Sequence, residues 1–531
     1  MSDPNAPGPP TPSSAEEDGN DDQSHIVDLA RGTFINLIGK AGRWARALSI
    51  VVITNMFGAA VYGLYDTAWK IILIAYKVAR VGLHRSITAE VVKCRADNDE
   101  DGCHQIIGRG LVIGLVASIA TTVGLYFGAD YIASWFSNEA PDRTQLVLTI
   151  RIMAWSLPFM VLAVVLIAAT WALRIMKYEV YVNSIGGPLF LLLGTLAAGF
   201  CGWGLEGLAT APILMAFGLF MLSLLYFRSH FSLGASLRQF CGDAPWSRLT
   251  NTAFPVMLSD VVNTLVVSLD SFMLFKMVSP EAAGIYQAAR QFSTVMKKIP
   301  QAFDSIFAPI VTDLTHRRQT RELEDNLAFV LRWICITTLA YMGLVWVGGE
   351  ILMRVFGPKF TAGATIAWVL CLSTIALGLT IPMETLLIMS GHPYVNLLNN
   401  TIWLVSMFFL NYWLIPLHQG VGAAWSVTIS ASLAALVRLI QARYLLDIRP
   451  LRWSLLKPFV AAAAGFAAAE IFKRLAQPVS LWSLLPELII FLVFFSAALY
   501  LQGFDARDRM LLNKARSYLR ERRENKKSDP A

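Results

Sequence analysis

The chain has 531 residues, of which 55% are hydrophobic and only 15% charged, with a mean hydropathy of +0.53. Soluble domains are about a quarter charged, so the composition excludes a water-soluble globular protein and indicates an integral membrane protein. The net charge of +7 implies no nucleic-acid partner, because excess Lys and Arg mark the cytoplasmic loops of membrane proteins.

Residues 1–27 are polar, Pro-rich and acidic (Glu16, Glu17, Asp18, Asp21, Asp22). They suit a disordered cytoplasmic tail and show no cleavable signal peptide. A helix needs about 20 largely apolar residues to cross a bilayer. On that measure, segments fall near 33–56, 60–83, 106–128, 146–171, 180–200 and 205–227, a six-helix bundle within 28–230. A second set falls near 252–276, 282–310, 327–349, 364–390, 396–416 and 420–442, a bundle within 247–445. A further pair near 457–475 and 483–502 occupies 455–503. The last stretch, 504–531, mixes Arg and Lys with Met510, Leu511, Leu512 and Leu519. It reads either as an amphipathic cytoplasmic helix on anionic lipid or as a solvated basic tail.

The expected fold is thus an all-α polytopic membrane protein of about 14 transmembrane helices: two parallel six-helix bundles plus a C-terminal helix pair. Basic residues alternate from loop to loop. His84, Arg85, Lys93 and Arg95; Arg174 and Lys177; Arg228 and Arg238; Arg317 and Arg318; and Arg443 and Arg449 lie on one side. Gly58-Ala59, Gly202-Trp203 and His418-Gln419 lie on the other, with Arg354 and Lys359 as exceptions. The positive-inside rule then places both termini in the cytoplasm.

The two halves repeat one another. Gly63-Leu64-Tyr65 recurs as Gly284-Ile285-Tyr286, about 221 residues later. Tyr181-Val182-Asn183 recurs as Tyr394-Val395-Asn396, and Gly207-Leu208-Ala209 as Gly422-Ala423-Ala424. Six crossings per half return the chain to the same side, so the repeats are parallel, a common transporter plan.

Ionisable groups inside the apolar segments cost several kcal/mol unless they face a cavity or a partner. Segment one carries Lys40, Arg43 and Arg46, and segment two Lys70, Lys77 and Arg80. Segment eight carries Arg290, Lys297, Lys298 and Asp304. Lys70 and Lys77 are two helical turns apart, as are Arg290 and Lys297, so each pair shares one helix face. Lys40, Arg43, Lys70, Lys77, Arg290 and Lys297 are therefore candidates to hold an anionic solute such as a phosphate or pyrophosphate. The competing reading for bases near helix ends is snorkelling to the headgroups. Asp260, Asp270 and Glu384 are candidates for ion coupling or for counter-ions to these bases. Pro158, Pro255 and Pro382 are candidate kinks. Cys94 and Cys103-His104 have no standard zinc spacing, and no P-loop or nucleophile elbow is present. No metal, no cofactor and no catalytic residue is expected.

Arg31-Gly32-Thr33, the Gly-[Leu/Ile]-Tyr repeat, Gly-His-Pro-Tyr-Val-Asn at 391–396 and Gly-Val-Gly-Ala-Ala at 420–424 together resemble one branch of a superfamily. It is the polysaccharide transporter branch of the multidrug/oligosaccharidyl-lipid/polysaccharide (MOP) flippase superfamily, to which O-antigen and exopolysaccharide flippases belong. The likeness covers roughly 27–445. It implies a non-enzymatic flippase that carries an undecaprenyl-pyrophosphate-linked oligosaccharide across the bacterial inner membrane by alternating access, for lipopolysaccharide or other surface polysaccharide. It also implies membrane lipids, a polysaccharide polymerase and a chain-length regulator as partners. Rival readings are a peptidoglycan lipid-precursor flippase, a cation-coupled drug exporter with an acidic cavity, and a membrane glycosyltransferase or polymerase. The last would want a large periplasmic loop or an acidic catalytic cluster.

Overall fold

In the computed structural model every long element is an α-helix, and no strand occurs among the described residues. These are residues 13–240, apart from positions 138, 174 and 176, and residues 247–503, apart from 318, 391–392, 450–452 and 477–483. The basic stretch 504–531 and residues 1–12 lie outside them.

The first half holds α1 (Ser13–Ala79), α2 (Leu83–Ala96), α3 (Glu100–Phe136), α4 (Ala140–Ala154), α5 (Ser156–Ala172) and the single turn α6 (Lys177–Glu179). A π-helix (Val180–Gly186), α7 (Gly187–Phe200) and α8 (Gly204–Arg228) follow. A short helix, α9 (Leu233–Gln239), leads to α10 (Ser247–Met277), α11 (Pro280–Met296), α12 (Lys298–His316) and α13 (Thr320–Arg354). The chain ends with α14 (Ala364–Met389), α15 (Pro393–Leu446), α16 (Leu456–Ala476) and α17 (Leu484–Leu501).

Helical structure covers all fourteen predicted segments. By length and composition, nine helical stretches among the described residues could cross a membrane; two of them, Trp44–Ala96 and Leu398–Leu446, each contain two predicted segments. Predicted segment eight is not among the nine; it is divided into α11, of 17 residues, and α12, of 19, which carries charges.

Local chemistry explains the breaks. Gly58, at φ 84°, interrupts α1 between predicted segments one and two, in a conformation that glycine adopts without penalty. Gln419, at φ 49°, interrupts α15 just after Pro416. Segment four is split at Trp155, because Pro158 cannot donate a hydrogen bond to Ala154 and crowds its carbonyl. Pro300 acts on Met296 in the same way, which ends α11 and starts α12 at the next turn. Ser279 caps α11, its Oγ accepting from the Ala282 N–H at 3.1 Å, and Pro280 takes the first helical position.

Two stretches depart from the sequence expectation. The acidic tail is helical from Ser13 onward. The basic stretch His84–Arg95, expected as a loop, is the helix α2. Its Leu83, Ile87, Val91 and Cys94 form a buried stripe at helical spacing.

The chain divides into two compact units. One takes the described residues up to Phe57 together with Thr67–Leu265, and the other takes Gly58–Asp66 with residues from Val266 onward. The division falls inside α10. In the first unit, Leu83 and Ile87 pack with Ile107 and Leu111 of α3, Val165 and Ala169 of α5, and Phe227 of α8. In the second, Phe307 and Val311 of α12 pack with Leu327 and Leu331 of α13 and Met383 and Leu386 of α14. The last helix pair docks on the second unit. A Cβ on Gly343 of α13 would lie 2.1 Å from the Phe491 ring of α17, so the ring occupies the space a side chain would fill.

In the first unit α9 is pinned to α3. The buried Arg109 donates from Nε to the Phe240 carbonyl at 3.0 Å, His104 Nδ1 meets Ser236 Oγ at 2.9 Å, and Gln239 donates to Asp101 at 2.8 Å. A hydrogen bond to a charged donor is worth about 1.5–3 kcal/mol. Arg109→Ala is therefore expected to raise tryptic cleavage after Arg238 by roughly tenfold or more. An unchanged cleavage rate would show that α9 is held by other means.

Candidate translocation site

In the first unit, the second part of α1 carries the bases Lys70 and Lys77 on one unbroken helix. Lys70 is buried, with 7% of its surface exposed. Two residues past Lys77 the helix ends, and Arg80, Val81 (φ 49°) and Gly82 (φ 71°) turn the chain into α2. The Arg80 guanidinium lies 5.3 Å from the centre of the Tyr76 ring, and Lys77 Nζ lies 5.6 Å from the same ring. Arg80 also forms an ion pair with Asp260 of α10. Two cations over one aromatic face, with an acid alongside, make a compact polar patch in helices that are otherwise apolar.

In the second unit, Asp270 of α10 is buried, with 1% exposed. Arg290 of α11 donates from Nη1 to both of its oxygens, at 2.8 and 2.9 Å. The Tyr286 hydroxyl donates to Oδ2 at 2.7 Å, and the Ser271 backbone N–H donates to Oδ1 at 2.8 Å. Tyr286 is the tyrosine of the second Gly-[Leu/Ile]-Tyr copy, so the repeat motif supplies part of the acid's cage. The carboxylate thus accepts from a guanidinium, a phenol hydroxyl and a backbone N–H. Lys297 caps α11 with helical backbone (φ −60°, ψ −21°), its N–H donating to the Ser293 carbonyl at 2.9 Å, so the two-turn spacing from Arg290 is kept up to the joint with α12.

Glu384 of α14 lies 3.6 Å from Arg438 of α15, whose Nη2 donates to Asn400 Oδ1 at 2.7 Å. Asn399 and Gln441 exchange a pair of amide hydrogen bonds at 2.6 and 2.8 Å beside them. Sequence reasoning missed Arg438, which is 1% exposed. A lone Arg within the run 420–442 was the signal that could have found it. Asp304 accepts from Thr385 at 2.5 Å. Helix α1 covers positions 40 and 43, but the side chains of Lys40 and Arg43 lie outside the described residues. Among the described residues no group of three or more His, Cys, Asp or Glu is placed to hold a metal ion.

The same buried charges sit in a known architecture. The chain is similar in fold to an inward-facing multidrug resistance MATE family transporter of the MOP superfamily (TM-score 0.64, 11% identity, 76% of this chain and 98% of that one). It is similar also to the lipid II flippase MurJ in an inward closed conformation (TM-score 0.67, 14% identity, 88% and 97%). A third likeness is to a MOP superfamily transporter from Pyrococcus furiosus (TM-score 0.55, 12% identity, 78% and 94%). The likeness shows a fold shared with these transporters, that of a multi-pass helical membrane protein. The family model for polysaccharide biosynthesis proteins matches residues 29–311, more than half of the sequence, and the chain belongs to that family. The comparison with curated proteins returns no match.

Proposed function

We propose that the protein is a flippase that moves a prenyl-pyrophosphate-linked oligosaccharide from the cytoplasmic to the outer leaflet of a bacterial inner membrane by alternating access. Both termini lie in the cytoplasm in this reading, and about fourteen helices cross the bilayer. The observation that carries the proposal is the placement of bases inside apolar helices of a polysaccharide-biosynthesis chain. Lys70, Lys77 and Arg80 in one unit, and Arg290 and Lys297 in the other, concentrate positive charge in helices that are otherwise apolar, the pattern of an anion pathway.

Translocation makes and breaks no covalent bond. The bases replace part of the water around the pyrophosphate while the prenyl tail stays in lipid. Arg80 offers a fork suited to phosphate oxygens, and an arriving pyrophosphate would compete with Asp260 for it. Asp270, with its several donors, is assigned as a fixed counter-ion to Arg290. Asp260 and Glu384 are more exposed, with side chains 18% and 36% accessible, and keep the ion-coupling role. The surplus of bases opposes the drug-exporter reading, which wants an acidic cavity.

Complementation of a host lacking its own copy tests this. Lys70→Glu, Lys77→Glu and Lys297→Glu are each expected to lower surface polysaccharide by roughly tenfold, the scale of one charge-assisted contact. The lipid-linked oligosaccharide should build up at normal protein levels. Build-up of the peptidoglycan precursor instead would shift the substrate to that lipid. Full polysaccharide in all three variants would remove the role of the bases.

A further inference from the structure

The end of the first unit around α6 carries a constellation that the cationic site does not use. Glu179 Oε2 accepts two hydrogen bonds, from the Trp171 indole N–H at 3.2 Å and from Asn183 Nδ2 at 2.8 Å. Tyr178 and Tyr226 stack at 4.5 Å, nearly parallel at 20°. Tyr181 leans on Tyr226 at 6.1 Å. His230 meets Tyr178 edge-on at 5.5 Å, and Lys177 Nζ sits 5.2 Å from the same ring. An open pocket of about 680 Å³ is lined by residues 228–234, among them Arg228 and the His230 that meets Tyr178.

The backbone here is unusual. Tyr181 and Asn183 lie on the π-helix Val180–Gly186. Its origin is local. Pro188 cannot donate to Ser184, so the Gly187 N–H reaches back five residues to the Val182 carbonyl. The freed Ser184 carbonyl packs so closely on Gly42 of α1 that a Cβ there would lie 1.5 Å from it. Helices of this type are rare and are concentrated at functional sites. The second copy of the motif, Tyr394-Val395-Asn396, lies in the ordinary α-helix α15. Among the described residues the π-turn is therefore peculiar to the first half.

We propose that this constellation binds a sugar ring of the lipid-linked oligosaccharide, on the side that the loop charges assign to the cytoplasm. The inference rests on the flippase reading and adds to it a site for the glycan. The chemistry fits the ligand class. A pyranose offers a face of C–H bonds, which packs on the electron-rich face of an aromatic ring, and a fan of hydroxyls. Glu179, oriented by two donors through one oxygen, presents the other to accept from those hydroxyls. Asn183 and the tyrosine hydroxyls can donate and accept beside it. Arg228 and Lys177 stand where an adjoining phosphate would be neutralised. A plain interfacial anchor of aromatic residues would need neither an oriented carboxylate nor a widened helix.

Equilibrium binding to the full-length protein in nanodiscs tests the assignment. One probe is the lipid-linked oligosaccharide extracted from host membranes depleted of this protein; the other is undecaprenyl pyrophosphate, which has no sugar. Wild type is expected to prefer the sugar-bearing lipid by about tenfold, the worth of a hydrogen bond to a charged group. Glu179→Gln and Tyr178→Ala should bring that preference to within about twofold and leave the affinity for undecaprenyl pyrophosphate unchanged. Tyr178→Phe, which keeps the stack, should retain it. A wild type that binds both lipids equally, or variants that keep the full preference, would overturn the sugar site and leave the flippase standing. Equal loss of both lipids in Glu179→Gln would make the cluster structural and overturn it as well. A wild type that binds neither lipid would remove the flippase reading itself.

Discussion

Arg290→Ala is expected to lower the stability of the second unit by about 3–5 kcal/mol, the usual result of stranding one member of a buried ion pair. Asp270 would keep the Tyr286 hydroxyl and the Ser271 N–H but lose the guanidinium charge at 2.8 Å. Thermal unfolding in detergent, read by the loss of the monodisperse peak on gel filtration, measures it. The double variant Asp270→Leu/Arg290→Met should recover most of the stability, since replacing both charges by apolar groups is often neutral or better. Transport separates the roles. If Arg290 serves only to hold α10 against α11, the double variant exports polysaccharide normally. If it also meets the pyrophosphate, the double variant folds and does not export. Arg290→Ala with wild-type thermal stability would show that the pair contributes nothing to the fold.

The second large effect is expected at the repeated glycines. Within the second unit, Gly63 and Gly284 meet where α1 crosses α11. A Cβ on Gly63 would lie 1.9 Å from the Pro280 carbonyl oxygen, and one on Gly284 would lie 2.1 Å from that of Ala59. Each glycine thus faces the carbonyl four residues before its counterpart. Both obstacles are backbone, so no rotamer change relieves them, and the helices must part by more than an ångström to reach ordinary contact. Close crossings of this kind rest on small residues. Gly284→Ala is expected to cost at least the 1–3 kcal/mol or so of an overpacked core, and Gly63→Ala a similar amount. Gly124 and Gly128 of α3 have nothing within 4 Å of a Cβ, so alanine at either should be neutral or slightly stabilising, given alanine's better helix propensity. Equal melting temperatures for Gly284→Ala and Gly124→Ala would show that the crossing is not tight in the membrane.

Much of the architecture was legible in the sequence because apolar runs report helices directly. The repeated Gly-[Leu/Ile]-Tyr and the breaks at Gly58 and His418-Gln419 were legible for the same reason: punctuation is local. Two kinds of feature were not. Two short basic helices read as loops: α2 because average hydropathy hides its buried stripe, and α9 because seven residues are too few to carry a periodic signal. Partnerships across the chain also escaped. Asp260 and Asp270 stand ten residues apart on one helix, yet they pair with Arg80 and Arg290 of different units. No spacing rule carries that information.

The reciprocal glycine crossing bears on how the two halves of such a chain can diverge. At Gly63 and Gly284 each copy of the motif is the other's nearest neighbour, so a change in one is a change in the environment of both. Drift there is coupled, and the two copies hold each other to the same letter. At Tyr181 and Tyr394 the copies differ in backbone, one lying on a π-turn and the other on an α-helix. A duplicated sequence of this design keeps its symmetry where two copies of a motif pack on each other, because there neither letter can change alone.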